Sequence, residues 1–304
     1  MRCRCQSLVP VLLLVLLGIR GLSAVEDTIL PLEGLSQEQR LLAAVRSANR
    51  AYQLRLQTLR VGLDSGEPER RIEAMAQLVR IQDPSTIPWI IPYLDRDLFE
   101  PATLKAAARS LAQLGASNAE EAIRLLLRHD NARVRAATVN ALDTLDRVRP
   151  RDQTQAVTDQ NEALRGMGAT RLGILVDRDA FQVLADALRR DSSTHVRRMA
   201  AISLTRLGGG EAGRHLIDAL TDRDALVRRY AAEGLARLNH GPAIPYLIFA
   251  LEADIASIHI IAAIRHLTGG EDFGFVVGGN VLERSQAVDR GFEWWTRNRA
   301  RFEQ

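Results

Sequence analysis

The sequence predicts an all-α protein, an α-solenoid (superhelix) of about six to seven helix pairs with a capping helix at each end. The strongest observation is a Leu-x-x-Leu step, with Ile at one of the two positions in two copies, that recurs at intervals of 29 to 33 residues. A fixed period of that size is typical of helical solenoids. Small residues, mostly Ala, lie three and four positions before most of these steps, where they let neighbouring helices approach closely. The steps are Leu78/Ile81, Leu111/Leu114, Leu142/Leu145, Leu172/Leu175, Leu204/Leu207, Leu235/Leu238 and Ile264/Leu267.

Residues 1–24 predict a signal peptide. Arg2 and Arg4 precede an apolar stretch at 9–19, and small residues follow up to Ala24. The stretch is shorter than the roughly 20 apolar residues that a membrane-spanning helix needs. We therefore expect an exported protein, periplasmic or secreted, with no stable membrane span after cleavage near Ala24. The alternative is an uncleaved signal that anchors the chain in the membrane.

The charge of the predicted mature chain is balanced. The full sequence has 40 basic and 37 acidic residues, and three of the basic ones, Arg2, Arg4 and Arg20, lie in the acid-free signal segment. Without them the two numbers are equal, so we expect neither the overall positive field that attracts nucleic acids nor a nucleic-acid partner, although local basic patches can exist. Cys3 and Cys5 also lie in that segment. The mature chain therefore has neither a disulfide nor a thiol nucleophile.

Residues 25–66 predict a linker followed by the N-terminal capping helix. The linker occupies 25–35, and Ser36 and Gln39 fit a capping box at the start of the helix. Apolar residues then recur at helical spacing over 41–63. Such a stripe covers the open end of a solenoid. The alternative is a helix that forms a dimer.

Residues 67–268 predict the repeats. The second helix of each pair carries the Leu-x-x-Leu step, and apolar segments predict first helices at 87–94, 119–129, 179–190, 211–220 and 243–251. The segment 146–161 departs from this pattern because Ala156 and Val157 are its main apolar residues. It predicts a weak helix or a loop that bends the solenoid into two halves.

Residues 269–304 predict a glycine-rich turn and the C-terminal capping helix. Val288, Phe292, Trp295 and Phe302 lie at helical spacing on one face, so we expect Trp295 to be buried. Trp294 lies about 100° away from that face, where it can be exposed to a partner.

An arginine lies seven residues before the first member of the step in five of the seven repeats. Seven residues bring a helix position back almost under the buried Leu, so these arginines start on the packed face. We interpret them as a structural ladder that pairs with aspartates in the turns between repeats. The alternative is an arginine comb that binds an acidic ligand. The arginines are Arg71, Arg135, Arg165, Arg197 and Arg228.

The opposite face of the second helices holds the positions six and two residues before the first Leu and two residues after it. We call this the second-helix face and expect it to line the concave side, which is the usual binding surface of a solenoid. It has two basic clusters separated by small, neutral residues, which predicts a protein partner with an acidic surface. The candidate partner-binding residues are Lys105, Arg109, Arg198, Arg206, Arg229 and Arg237, together with Trp294.

Three segments carry a family resemblance, namely DNARVRAATVNALDTL (130–145), STHVRRMAAISLTRLG (193–208) and TDRDALVRRYAAEGLARL (221–238). They resemble HEAT-like repeats, in particular the short type found in phycobilisome-lyase-related proteins, and the resemblance covers about residues 67–268. The ending LTGGEDFGF followed by EWW resembles the C-terminus of exported bacterial HEAT-repeat proteins. The resemblance implies a protein-interaction scaffold, and it transfers no catalytic residue because the shared motif serves packing.

The residue pattern gives no catalytic, metal or cofactor site. None of the six histidines is followed by Glu, which disfavours the di-iron hydroxylases built on HEAT-like repeats. We therefore expect a non-enzymatic scaffold that binds a protein on its concave face. The alternative is a lyase, such as a bilin lyase, or another enzyme on a HEAT-like scaffold. The oligomeric state stays open.

Overall fold

A computed structural model describes residues 36–175, 180–252 and 258–302. The predicted signal peptide and the linker lie outside these ranges. The chain divides into two compact units, residues 1–61 and 62–304. Helix α1 (Gln37–Leu63) forms most of the described part of the first unit, and its last two residues belong to the second unit. It begins at the predicted capping box, in which the Ser36 amide donates to Gln39 Oε1 at 2.9 Å and the Gln39 amide donates to Ser36 Oγ at 3.3 Å.

The second unit is built from helix pairs, and the predicted all-α solenoid is confirmed. In each pair a first helix is followed by a second helix that carries or ends at the Leu-x-x-Leu step. The second helices are α2 (Pro68–Ile81), α4 (Pro101–Gln113), α6 (Ala132–Thr144), α8 (Glu162–Leu175), α10 (Thr194–Leu207), α12 (Ala225–Arg237) and α14 (Ile258–Thr268). The first helices are α3 (Ile87–Ile90), α5 (Glu120–Leu125), α7 (Pro150–Val157), α9 (Ala180–Arg190), α11 (Gly209–Ala219) and α13 (Ile244–Ala250).

The step residues explain why the repeats stack. The first member of all seven steps is fully shielded from solvent, and a continuous apolar core extends from Val157 to Val288. Burying a Leu or Ile side chain contributes about 1.5–3 kcal/mol, so the seven positions supply much of the stacking energy. In the described residues no helix combines the length and the apolarity that crossing a bilayer requires.

The polar segment 146–161, for which the sequence predicts either a weak helix or a loop, contains the helix α7. Asp152 is buried at its start, where it accepts a hydrogen bond from the Arg149 amide at 2.9 Å and pairs with Arg124 of α5. Ala156 and Val157 are buried at its end. The segment is polar because an ion pair, rather than an apolar stripe, attaches this first helix to the preceding repeat.

Helix α8 is approached very closely from two sides. A Cβ on Gly168 would lie 2.6 Å from the Val157 amide nitrogen, and a Cβ on Gly173 would lie 2.5 Å from Ser203. Ser203 Oγ donates to the Ala169 carbonyl oxygen at 2.8 Å and fastens α10 to α8. By contrast, α6 and α8 touch at only a few residues. The stack of second helices therefore opens between these two repeats.

The last helix, α15 (Val281–Asn298), packs against α13 through a face that includes Val288 and Gly291. Two expectations for this end of the chain are wrong. Trp295 is half-buried rather than buried, and Phe292 is 37% exposed. Trp294 is also half-buried, with its ring centroid 5.8 Å from that of Phe273 and 5.9 Å from that of Phe302. The Gly-rich turn places Phe273 beside Trp294. The packed aromatic residues are therefore Phe273, Trp294 and Phe302, and not the predicted stripe alone.

Candidate functional site

Three of the predicted ladder arginines join adjacent repeats in the same way. Each guanidinium directs Nε and Nη2 at the two carboxylate oxygens of an aspartate in the turn that precedes the next second helix. Its Nη1 donates to two backbone carbonyl oxygens in the turn that immediately precedes the arginine's helix. The paired distances are 2.7 and 2.7 Å for Arg135 and Asp159, 2.7 and 3.0 Å for Arg165 and Asp191, and 2.8 and 3.0 Å for Arg197 and Asp222.

The outer two ladder arginines have fewer contacts. Arg71 donates to Glu100 at 3.0 Å and to the Ser65 carbonyl oxygen at 2.8 Å, and Arg228 donates to the Asp222 carbonyl oxygen at 2.6 Å. In the three complete pairs the carboxylate belongs to the turn before the second helix of the next repeat, while the turn before the arginine's own helix supplies carbonyl oxygens. These internal partners occupy the guanidinium groups, which supports a structural role over the binding of an acidic ligand.

Two of the ladder carboxylates, Asp159 and Asp191, are held in the charged form. Burial alone would raise the pKa of Asp191, but hydrogen bonds from Arg165 and from the Ser193 amide outweigh burial and lower it. The pKa of Asp159 is lowered in the same way, against burial, by Arg135 and the Asn161 amide. Both pairs therefore stay ionised across the neutral range.

The first basic cluster of the second-helix face lies on α4. Lys105 is half-buried and Arg109 is exposed. Within the described ranges, neither has an acidic partner. These two side chains keep their charge available to a ligand, at one end of the face.

The second basic cluster contains internal acids. Arg229 Nε lies 2.8 Å from Glu233 Oε1, and this hydrogen bond raises the pKa of Arg229. His259 Nδ1 lies 3.2 Å from the same oxygen. Arg198 Nε lies 4.0 Å from Asp224 Oδ1. Glu233 lies two residues before Leu235 and therefore on the second-helix face, but its pairing with Arg229 depends on side-chain geometry that the spacing does not give.

Arg206 and Arg237 differ from these neighbours. Both are exposed, and neither pairs with an acid in the part of the chain that the structure describes. They occupy the same register position in α10 and α12, two residues after the first Leu of each step. The structure therefore reduces the predicted four-arginine cluster to two free cations with two neutralised ones beside them.

A groove of about 730 Å³ lies between α6, α8 and α10, where the stack of second helices opens. The sequence analysis did not assign it. In the sequence, the only sign of this groove was the row of small, neutral residues on the second-helix face of α8. The opening itself depends on the spacing between α6 and α8. It is lined by Asn140, Asp143, Glu162, Ala163, Gly166, Met167, Thr170, Arg171, Ile174, His195 and Met199.

The groove combines apolar side chains with one polar bridge. Met167 and Met199 are half-buried in its wall, and Ile174 is 62% exposed at its edge. Arg171 of α8 reaches α6, where it donates to Asn140 Oδ1 at 3.0 Å and pairs with Asp143. Thioether side chains adapt to differently shaped ligands, so this wall suits an apolar side chain.

Gly166 explains part of the groove's shape. A Cβ at this position would lie 2.7 Å from the ring of His195, so only glycine lets that ring rest against the backbone of α8. Among the described residues no three His, Cys, Asp or Glu side chains gather as metal ligands do. The arrangement can bind a side chain or a short segment, and Trp294 takes no part in lining it.

Stacked helix pairs, a shared core and inter-repeat ion pairs define an α-solenoid repeat protein. Residues 56–143 and 153–236 match the model for HEAT repeats, and residues 227–253 match that for the PBS lyase HEAT-like repeat. The HEAT-repeat match covers more than half of the chain, which therefore belongs to the HEAT-repeat family.

Several solved structures are similar to the chain at low sequence identity. YibA of Escherichia coli is 16% identical, with 85% of this chain and 97% of that chain covered and a TM-score of 0.50. The CpcE–CpcF complex of phycocyanin lyase from Nostoc sp. PCC7120 is 18% identical, with 70% and 94% covered and a TM-score of 0.40. Human deoxyhypusine hydroxylase is 18% identical, with 74% and 91% covered and a TM-score of 0.33. No curated protein sequence matches the chain.

Proposed function

We propose that this HEAT-repeat protein is an exported, non-enzymatic scaffold that binds a protein partner on the second-helix face. The groove between α6, α8 and α10 is the observation that carries the proposal. It accepts an apolar side chain of the partner, while Arg206 and Arg237 face acidic residues of the same partner.

The position of these features supports one continuous binding surface. Ile174 and Arg206 occupy the same register position in adjacent second helices, and neighbouring helix axes lie about 8–10 Å apart. The groove volume falls within the range of about 300–1,000 Å³ that is typical of ligand sites. An extended segment of a partner can therefore place one side chain in the groove and an acidic residue about one repeat further along.

The export part of the proposal rests on the sequence of residues 1–24. N-terminal sequencing of protein from the cell envelope or the medium tests it. A mature chain that starts near Val25 supports export, and a cytoplasmic chain that retains Met1 contradicts it.

The binding part requires a partner captured with the mature chain from the exported fraction and two variants. Ile174→Asp places a charge at the groove, and the double variant Arg206→Glu/Arg237→Glu reverses the free cations. We expect each variant to weaken partner binding by about tenfold or more, because burying an unpaired charge or opposing like charges costs at least ~1.4 kcal/mol. The binding of the unaltered chain should also weaken with salt.

The matched control is Arg190→Glu/Arg214→Glu, which makes the same charge change at exposed positions of first helices α9 and α11. Thermal melts establish that all variants fold. Equal binding by both double variants would place the interface elsewhere.

A lyase is the second candidate function, favoured by the match of 227–253 to the PBS lyase HEAT-like repeat. Transfer of a bilin to an acceptor protein, followed by its absorbance, distinguishes the two. Transfer that Ile174→Asp abolishes would replace the scaffold proposal, and no transfer in the presence of a tight protein partner would support it.

A further inference from the structure

Helix α1 is amphipathic and strongly basic. Its sequence contains five arginines and a single acidic residue, Glu38. Its apolar stripe begins with Leu41, Val45 and Ala48, and the arginines are Arg40, Arg46, Arg50, Arg55 and Arg60. A basic helix with one apolar face is typical of segments that bind an anionic surface.

The two halves of the stripe differ in exposure. Leu56, Leu59 and Leu63 are buried, whereas Leu41 is 47% exposed, Leu42 49% and Val45 39%. The N-terminal half of α1 therefore presents uncovered apolar side chains along more than one turn. Single exposed apolar residues are ordinary, but a stripe of them at helical spacing indicates an interaction surface.

Two of the arginines, Arg40 and Arg46, flank the N-terminal half of this stripe. At 100° per residue, Arg40 and Arg46 each lie about 100° from a stripe residue beside them, Leu41 and Val45, but on opposite sides of it. Arg50 lies near the middle of the polar face. A second copy of α1 would bring a helix with the same excess of arginines against this one, and like charges oppose that pairing.

We propose that the N-terminal half of α1 lies on an anionic lipid bilayer. Leu41, Leu42 and Val45 enter the boundary between headgroups and acyl chains, and the flanking arginines contact lipid phosphates. Each arginine near such a surface adds to the attraction, and the apolar side chains add the energy of their burial. The helix lies in the interface and does not cross it, consistent with the lack of a membrane-spanning helix among the described residues.

The position of α1 in the sequence favours a bilayer over an acidic protein. Ser36 follows the apolar stretch at 9–19 by 17 residues. A chain that is targeted to a membrane by that stretch delivers α1 close to the bilayer, whether or not the stretch is later removed. The proposal does not depend on the second-helix face or on its partner.

A fluorophore attached to α1 tests the proposal in the full chain. Cys3 and Cys5 are replaced by Ser, and Val45→Cys is labelled with an environment-sensitive dye. The matched control is Leu54→Cys, an exposed position nine residues later and about 180° around the helix. Vesicles contain either phosphatidylcholine alone or phosphatidylcholine with phosphatidylglycerol.

We expect a blue shift and a several-fold increase in emission at Val45 with the anionic vesicles. Phosphatidylcholine alone should give little change, as should the dye at Leu54. Arg46→Glu should raise the lipid concentration needed for half of the shift by about tenfold or more, because it removes one positive charge and adds one negative charge, each of which counts for about a factor of five at an anionic surface. Circular dichroism establishes that the variants keep their helix content.

Three results would overturn the proposal. The first is no shift at Val45 with anionic vesicles, and the second is an equal shift with both kinds of vesicle. The third is a shift without lipid that rises with protein concentration together with a doubled mass in light scattering, which would show that α1 pairs with a second copy. Binding of a protein partner to the second-helix face would not alter these three results. The lipid proposal and the scaffold proposal can therefore be contradicted separately.

Discussion

Arg197 in α10 and Asp222 in the turn between α11 and α12 are joined by two hydrogen bonds, from Nε to Oδ2 at 2.8 Å and from Nη2 to Oδ1 at 3.0 Å. The remaining nitrogen, Nη1, donates to the carbonyl oxygens of Asp191 and Ser192 at 3.0 and 3.3 Å. One side chain therefore connects the turns of two consecutive repeats. Bidentate pairs of this kind stabilise the contact and also restrict its geometry, so the ladder sets the spacing of the turns.

Replacing Arg197 should destabilise the protein strongly. The side chain is 2% exposed, and Arg197→Ala leaves the carboxylate of Asp222 without its bidentate partner. Removing one member of a buried ion pair costs about 3–5 kcal/mol, and we expect about 3 kcal/mol because Asp222 is only half-buried. Urea denaturation followed by circular dichroism measures the change.

Arg237→Ala is the control for that measurement, since Arg237 is exposed and belongs to a second helix as well. Its effect should stay within about 0.5 kcal/mol. Similar losses for both variants would contradict a structural role of the ladder. Lost partner binding with an unchanged unfolding curve for Arg197→Ala would favour the arginine comb instead.

Gly168 should tolerate no side chain. In Gly168→Ala the Cβ would meet the Val157 amide nitrogen at 2.6 Å and the Gln153 carbonyl oxygen at 2.9 Å. Backbone atoms cannot rotate away, so α7 and α8 must separate, and overpacking of this kind costs about 1–3 kcal/mol. Thermal denaturation should give a lower midpoint than that of the unaltered protein.

Gly210→Ala provides the matched control, because a Cβ there would have no atom within 4 Å. Gly210 lies in α11, where alanine reduces the entropy of the unfolded chain and should stabilise the protein by about 0.4–1 kcal/mol. Equal midpoints for the two alanine variants would show that the contact between α7 and α8 is less rigid than the structure indicates.

The solenoid could be predicted from the sequence because its determinants are periodic. Leu142, Leu172 and Leu204 recur at intervals of 30 and 32 residues, and each is buried where the register places it. Helix α7 was harder to predict because Asp152 attaches it through an ion pair with Arg124, and ion pairs leave no hydrophobic period. The same limit applies to the aromatic cluster at the C-terminus, which a turn assembles from residues distant in sequence.

The groove could not be predicted for a related reason. Its walls come from three second helices, and its width depends on how far α6 and α8 separate. A sequence register gives the direction of each side chain from its own helix axis, but not the distance between axes. Gly166, Thr170 and Ile174 therefore appeared only as a neutral interval between two basic clusters.

Acid should destabilise the protein in two stages, the first of which involves His240. Burial lowers the pKa of His240 below its ordinary value of 6.5, and Arg214 lowers it further. The unfolded chain therefore binds a proton more readily, so this contribution to stability is complete above about pH 6.5 and is lost as the pH falls through the folded pKa. Titration of the His240 ring by NMR should give a midpoint below 6.5, and a midpoint at or above that value would contradict the stated environment.

The second stage involves Asp159 and Asp191, whose pKa values are lowered below 3.8. Their contribution is present above that value and is lost as the pH falls through the lower folded pKa. Denaturation curves at a series of pH values should therefore show a further loss below about pH 4. In Asp191→Asn this second loss should be smaller, whereas the first loss, below about pH 6.5, should remain.

Phe302 should stabilise the packing of the C-terminal helix α15 against the last repeats. A Cβ on Gly241 would lie 2.6 Å from Phe302 Cδ1, so the ring presses on the backbone of that turn. Its centroid lies 5.8 Å from that of Trp295 and 5.9 Å from that of Trp294. Phe302→Ala should cost about 2 kcal/mol, less than the 3–5 kcal/mol of a fully buried ring because Phe302 is half-buried. Tryptophan emission should move to longer wavelength, since both indoles lose a neighbouring ring.

Phe292→Ala is the control in α15, and with its ring more exposed it should change stability by less than about 1 kcal/mol. A larger effect at Phe292 than at Phe302 would indicate that the originally predicted stripe, rather than the aromatic cluster, closes the last repeat.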